Sequence, residues 1–98
     1  MQFLVTAHDY ADGYERRMAA RGEHLENIAR LMEGGHVVCA GGLTEDGKLV
    51  GSALVMEFAD RSEVGEYLAG EPYVKANVWE KVTVEPMNVL IVNNEKVK

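Results

Sequence analysis

An internal disulfide needs two cysteines, and this chain has one, Cys39. A disulfide-stapled fold is therefore excluded, and the cysteine usage fits a reducing compartment. Cys39 sits in the apolar run from His36 to Ala40 and is expected to be a small buried hydrophobe. A metal centre is not expected either, because His8, His24 and His36 have no His or Cys partner at ligand spacing. Basic charge is scarce: 10 Lys and Arg stand against 16 Asp and Glu, for a net charge of −6, with the acids scattered along the chain. Nucleic acid is a poor partner for such a surface, since phosphate binding needs a basic face. No apolar run approaches the ~18 residues of a membrane span, and the opening MQFLVTAHDY lacks the basic region of a signal peptide. A cytoplasmic protein without membrane contact is the expectation. Internal repeats, low-complexity segments, a nucleophile elbow, a Walker loop and a dinucleotide fingerprint are all missing, and no cofactor is expected.

The stretch around which the rest is organised is RGEHLENIARLM, Arg21 to Met32. With 98 residues the chain is expected to be one domain, 1–98, small enough that much apolar surface stays uncovered unless copies associate. Gln2 to His8 reads as a first strand, with Phe3, Val5 and Ala7 alternating against Gln2, Thr6 and His8. Asp12 and Glu15 have the spacing of a capping box, and Tyr14, Met18, Leu25, Ile28 and Met32 then recur on one helical face. Arg21 interrupts that face, either as an edge residue whose stem lies on the core or as an anion contact. Gly34-Gly35 is the expected helix stop.

Beyond it, His36 to Ala40 reads as a strand left at Gly41-Gly42, and an Asp-Gly turn in TEDGK leads to a third strand from Leu49 to Phe58. Asp60 with Glu63 predicts the start of a second helix carrying Val64, Tyr67 and Leu68 and ending at Gly70. Glu71-Pro72-Tyr73 reads as a turn. A strand over Val78 to Val84 follows, with Val78, Glu80, Val82 and Val84 on one side and Trp79, Lys81 and Thr83 on the other, broken at Pro86. Residues 87–98 are expected to be a terminal strand or tail: Met87 to Val92 is apolar enough to pair with a sheet edge of its own or a second subunit, and Asn93 to Lys98 is expected to fray. The order βαββαβ predicts an α+β, ferredoxin-like fold, a four-stranded antiparallel sheet with two helices on one face. Strand residues 53–56, apolar on both sides, suggest that a two-fold partner covers the open face, making a homodimer.

Of the titratable side chains, His24 alone is strongly placed, at the edge of the apolar helix face. A histidine there serves either as a hydrogen-bonded structural residue or as a proton carrier, and sequence position alone does not choose.

The chain resembles the YciI, or YCII-related, family of small bacterial dimeric α+β-barrel domains, similar in fold to muconolactone isomerase. The resemblance runs nearly to Pro86: His8-Asp9 closing the first strand, Arg17, the R-x-x-HL pattern from Arg21 to Leu25, AGGL from Ala40 to Leu43, Gly51-Ser52, and EPYVKANVWEKVTVEP from Glu71 to Pro86. It implies a histidine–carboxylate catalytic dyad at His24 and Glu71, where the family pattern Asp-Pro-Tyr is replaced by Glu-Pro-Tyr. A carboxylate beside His24 would fix its tautomer and keep a proton carrier ready near neutral pH. Arg21, Ser52 and Tyr73 would then orient a small polar or anionic substrate. Two functions follow as expectations: a small acid–base enzyme of lyase or isomerase type, or a non-catalytic dimeric module that binds a small molecule or serves as an accessory subunit.

Overall fold

The computed structural model describes residues 1–97; Lys98, the end of the expected tail, lies outside them. Its elements run β1 (Gln2–Asp9), α1 (Tyr14–Glu33), β2 (Val37–Glu45), β3 (Lys48–Glu57), α2 (Arg61–Gly70), α3 (Pro72–Lys75), β4 (Trp79–Met87), β5 (Ile91–Val92) and β6 (Glu95–Lys96). The first four strands in space make one antiparallel sheet in the order β2-β3-β1-β4, the ferredoxin-like arrangement expected from the order of elements.

Strand alternation decides which face the helices cover. Phe3, Val5 and Ala7 of β1 and Leu54 and Met56 of β3 are buried and form one core with Ile28, Val64, Tyr67 and Tyr73 from the helices. Leu4, Thr6, Ala53 and Val55 point the other way and are half-buried, and among the described residues no helix covers them. Cys39 lies on that open side of β2 and is exposed, not buried as expected, because β2 is an edge strand with no layer above it.

Turn and cap chemistry set the joints. Asp46 and Gly47 take φ of 50° and 81°, the paired left-handed geometry of a tight hairpin between β2 and β3. Gly35, at φ 76°, closes α1. The Asp60 carboxylate accepts from the Glu63 backbone N–H at 3.1 Å and starts α2 as its spacing predicts.

Several expectations are corrected. Gly13, not Asp12, is the N-cap of α1, and Asp12 instead pairs with Arg16 at 3.1 Å. Met18, Leu25 and Met32 are exposed, whereas Arg17, His24 and Ile28 are buried. The helix is thus turned by less than the ~100° of one residue from the face that hydropathy alone selects, and Ile28 is common to both faces. Buried acids waiting for Arg17 and His24 outweigh the exposure of these three apolar side chains and of Tyr14. Gly41-Gly42 lies inside β2 and does not end it, and the stretch after Glu71 forms the short helix α3 where a turn was expected. A register shift between His8 and Asp9 opposite Lys81 and Trp79 lets Trp79, Val82 and Val84 all face the core while Glu80 stays exposed. Pro86 does not break β4: it pairs in register with Phe3, as an edge strand permits. Residues 91–96 form their own small hairpin, turned by Asn93 and Asn94 at φ 51° and 67°, and do not join the main sheet of this chain.

Candidate active site

Four polar side chains, Arg17, His24, Ser52 and Glu71, are buried in this otherwise apolar core. Burying a charge is costly unless it is paired and hydrogen-bonded, so each must be accounted for. Glu71 is fully buried, and its two oxygens meet three donors. Oε1 lies 2.6 Å from His24 Nδ1 and accepts the Tyr73 backbone N–H at 3.1 Å, while Oε2 accepts the Tyr67 hydroxyl at 2.7 Å. The bond from Tyr73 N makes Glu71 the N-cap of α3, so the additional methylene of glutamate is taken up by folding the side chain back onto its own helix. An ionised carboxylate can only accept, so Nδ1 is the protonated nitrogen of His24. Nε2 meets no hydrogen-bonding group among the described residues.

The imidazole is held in its plane as well as at its edge. Its ring stacks on Tyr73 with centroids 4.0 Å apart and planes 12° from parallel, and Trp79 meets it edge-on at 6.2 Å. The Arg17 guanidinium lies over the Tyr73 ring, 4.6 Å from its centroid. Arg17 donates to Asp9 through Nε at 2.7 Å and Nη2 at 3.0 Å, and Nη2 also donates to Ser52 Oγ at 2.8 Å. Both partners of the ion pair are nearly closed to solvent, at 3% and 5% exposure. Burial pushes the Tyr67 phenol upward, and the Glu71 charge adds to the rise. Tyr73 is also pushed up by burial, against the opposing pull of Arg17 and Arg21.

These groups wall a cavity of about 220 Å³ between α1 and the β2–β3 half of the sheet. Arg17, Arg21, His24, Ser52 and Tyr73 supply its polar lining, and Leu25, Ile28, Leu49 and Leu54 its apolar one. Ala40, Gly41 and Gly42 complete it from β2, where the missing side chains leave room. A Cβ on Gly42 would run into the Leu49 side chain, and one on Gly51 into the Ala7 carbonyl. Among the described residues no group of three or more His, Cys, Asp or Glu stands close enough to hold a metal.

All five residues singled out from sequence therefore meet here. His24 touches Glu71, Tyr73 stacks on His24, and Arg21 and Ser52 line the same cavity. Glu71 does not line the cavity; it stands behind His24. Arg17 and Asp9 were quoted in the resemblance without a role, and their contacts place them in the site. The signal for Arg17 was available: it precedes His24 by seven positions, which puts both on one helical face. Tyr67 and Trp79 carry in sequence only the signal of a helix and a strand residue.

An antiparallel ferredoxin-like sheet with a buried His–carboxylate pair at a helix–sheet cavity defines a small α+β protein of one recognisable kind. The family model for the YCII-related domain matches residues 1–88, and the chain belongs to that family. Protein YciI of Escherichia coli O6:H1 and Protein YciI of Shigella flexneri are each 30% identical to it over 93 residues, covering 88% of this chain and 95% of theirs. An uncharacterized protein of Haemophilus influenzae is 28% identical over 94 residues. Among solved structures, the 5-chloro-2-hydroxyhydroquinone dehydrochlorinase TftG of Burkholderia phenoliruptrix AC1100, in complex with 2,5-dihydroxybenzoquinone, superposes with a TM-score of 0.82. It covers 90% of this chain and 94% of its own at 24% identity, a likeness of fold. Among the described residues no helix is long and apolar enough to cross a membrane.

Proposed function

We propose that this chain is a small acid–base enzyme of lyase or isomerase type, in which His24 exchanges a proton with a small polar or anionic substrate in the cavity. The observation that carries the reading is the 2.6 Å contact between His24 Nδ1 and Glu71 Oε1, which leaves Nε2 unengaged on a residue of the cavity wall. With Nδ1–H donated to the carboxylate, Nε2 holds the lone pair. It takes a proton from a carbon next to a carbonyl, and the C–H electron pair moves into the carbonyl to give an enolate. The imidazolium then returns the proton at another atom, an isomerisation, or the electron pair expels a leaving group, an elimination. Dehydrochlorination, the activity in the name of the structural neighbour, is an elimination. Glu71 stabilises the imidazolium without itself taking the proton, and general acid–base work of this kind is typically worth ~10²–10⁴-fold in rate. A second copy covering Leu4, Thr6, Ala53 and Val55 completes the proposal as a cytoplasmic homodimer. Sedimentation equilibrium at micromolar concentration is expected to give twice the chain mass of 10.8 kDa, and a monomer overturns that part.

A second reading has its own observation. The Glu71 carboxylate caps α3 through Oε1, the oxygen that meets His24, and accepts the Tyr67 hydroxyl through Oε2, so the network also has a structural role and serves a non-catalytic binding module equally well. Hydrogen–deuterium exchange at the acidic C–H positions of small cyclic 1,3-diones and hydroxyquinones separates the two. Wild type is expected to accelerate exchange over buffer, and His24→Gln, still folded by circular dichroism, to fall to the buffer rate. Equal rates for wild type and His24→Gln would leave the binding module standing.

A further inference from the structure

Ser52 is 4% exposed and its Oγ is already an acceptor, from Arg17 Nη2 at 2.8 Å. A guanidinium has no acceptor, so the serine's own proton is not used in that bond. No other described group takes it. A buried hydroxyl facing a cavity with an unspent proton is a donor waiting for an oxygen. Arg17 fixes which way it turns, since occupying one side of Oγ with N–H leaves the O–H to rotate away.

The charge of Arg17 is answered by Asp9 and that of Glu71 by its three donors. Arg21 lines the same cavity, is exposed, and makes no ion pair among the described residues. It is the cavity's unanswered positive charge.

We propose that the Ser52 hydroxyl and Arg21 together seat one anionic oxygen group, a carboxylate or enolate, of a single-ring substrate, with Arg17 as the positioning residue that turns the Ser52 proton toward it. The inference rests on the acid–base reading above and names its substrate class. Size agrees: a dry cavity of about 150 Å³ holds benzene, so about 220 Å³ holds one ring with a substituent. The lining agrees too, with Leu25, Ile28 and Leu54 for the ring and the polar groups for its anionic edge. In the enolate-forming step the charge would grow on the oxygen facing Ser52, where a hydrogen bond to an ionised acceptor is strongest.

Calorimetric titration of the wild-type protein tests this with benzoate against its neutral isostere benzamide, and with 2,5-dihydroxybenzoquinone in its anionic form. Benzoate and the quinone anion are expected to bind at least tenfold more tightly than benzamide. Arg21→Gln should erase that preference, and Ser52→Ala should weaken the anions tenfold or more with little effect on benzamide. Arg17→Met combined with Asp9→Asn removes a neutral pair without stranding a charge. It should weaken the anions as Ser52→Ala does, and the triple variant should be no weaker than either, because both changes delete one donor. A purely structural Arg17 would give additive losses instead. No anion preference in wild type, a preference that survives in Arg21→Gln and Ser52→Ala, or additive losses would overturn the proposal. The readout is equilibrium binding, which needs no proton transfer, so failure of this seat is read separately from failure of the proton carrier, which the exchange experiment reads.

Discussion

His24 and Glu71, 47 positions apart, meet at 2.6 Å where Glu71, the N-cap of α3, holds its carboxylate against the imidazole. Pro72 fixes the first turn, Tyr73 N bonds the carboxylate, and the Tyr73 ring stacks on the imidazole. A four-residue helix thereby locks the carboxylate, the imidazole and its stacking partner into one unit.

Two substitutions at Glu71 divide its roles. Glu71→Gln keeps the size and an acceptor oxygen but loses the charge, and is expected to destabilise by about 1–3 kcal/mol, the usual cost of a weakened buried hydrogen-bond set. Glu71→Asp keeps the charge and draws it back by one methylene, so it should give up part of the contact with His24 or with Tyr67. Urea denaturation reads the stability. The ¹⁵N shifts of the imidazole read the tautomer, which should stay protonated at Nδ1 in Glu71→Asp and become mixed in Glu71→Gln.

Arg17 and Asp9 form the most enclosed ion pair in the structure among the described residues. Breaking such a pair from one side leaves a buried charge and typically costs ~3–5 kcal/mol, whereas removing both charges costs far less. Arg17→Met alone is therefore expected to approach unfolding, and Arg17→Met with Asp9→Asn to recover most of the lost stability. A urea midpoint that is no higher in the double variant than in the single one would mean the pair is not coupled.

What sequence could reveal divides along the same physical lines. Local chemistry was legible: Asp60 with Glu63, Gly34-Gly35 and Asp46-Gly47 each act within a few residues, and each does in the structure what its type dictates. Strand order followed from the alternation of elements. The rotation of α1 was not legible, because Met18, Leu25 and Met32 outscore Arg17 and His24 on hydropathy, and only a buried Asp9 and Glu71, supplied by other elements, reverse the choice. The parity of β4 failed for a related reason: the register shift at Trp79 is a property of the pair of strands and is invisible in either alone. His24 could be singled out from its helix, but its acid came from the family resemblance, since nothing local ties it to a residue 47 positions on.

Tyr67 gives the protein an alkaline signature. Its phenol is held protonated by burial and by the adjacent Glu71 carboxylate, so its folded pKa lies above the ordinary value near 10. A group raised on folding contributes stability that is complete below the unfolded pKa and is lost as pH rises through the folded one, because above pH ~10 the unfolded chain releases a proton that the folded chain retains. Tyr67→Phe should cost about 1.5–3 kcal/mol at pH 7, the worth of a hydrogen bond to a charged acceptor. Between pH 10 and 11.5 the difference should narrow, since wild type falls with pH through this group and the variant does not. Parallel stability curves for the two proteins would show that Tyr67 ionises equally well in both states.

Two glycines on neighbouring strands are expected to answer differently to the same methyl group. At Gly51 an added Cβ would strike the Ala7 backbone carbonyl, an atom held by the β1–β3 ladder that cannot move without breaking the register. Gly51→Ala should therefore destabilise by more than the ~1–3 kcal/mol of ordinary overpacking. At Gly42 the Cβ clashes with the Leu49 side chain, which can change rotamer, and meets the Gly51 carbonyl at an ordinary contact distance. Leu49 lines the cavity, so the cost is displaced from the fold to the site: Gly42→Ala should keep near-wild-type stability in urea while pushing Leu49 into the space beside Leu54. Affinity for a ring-sized ligand should drop and that for a two-carbon anion such as acetate should not, a split that calorimetry with benzoate and acetate would read. Loss of both affinities together, or of stability without loss of either, would mean that β2 shifts as a whole and Leu49 does not absorb the methyl group.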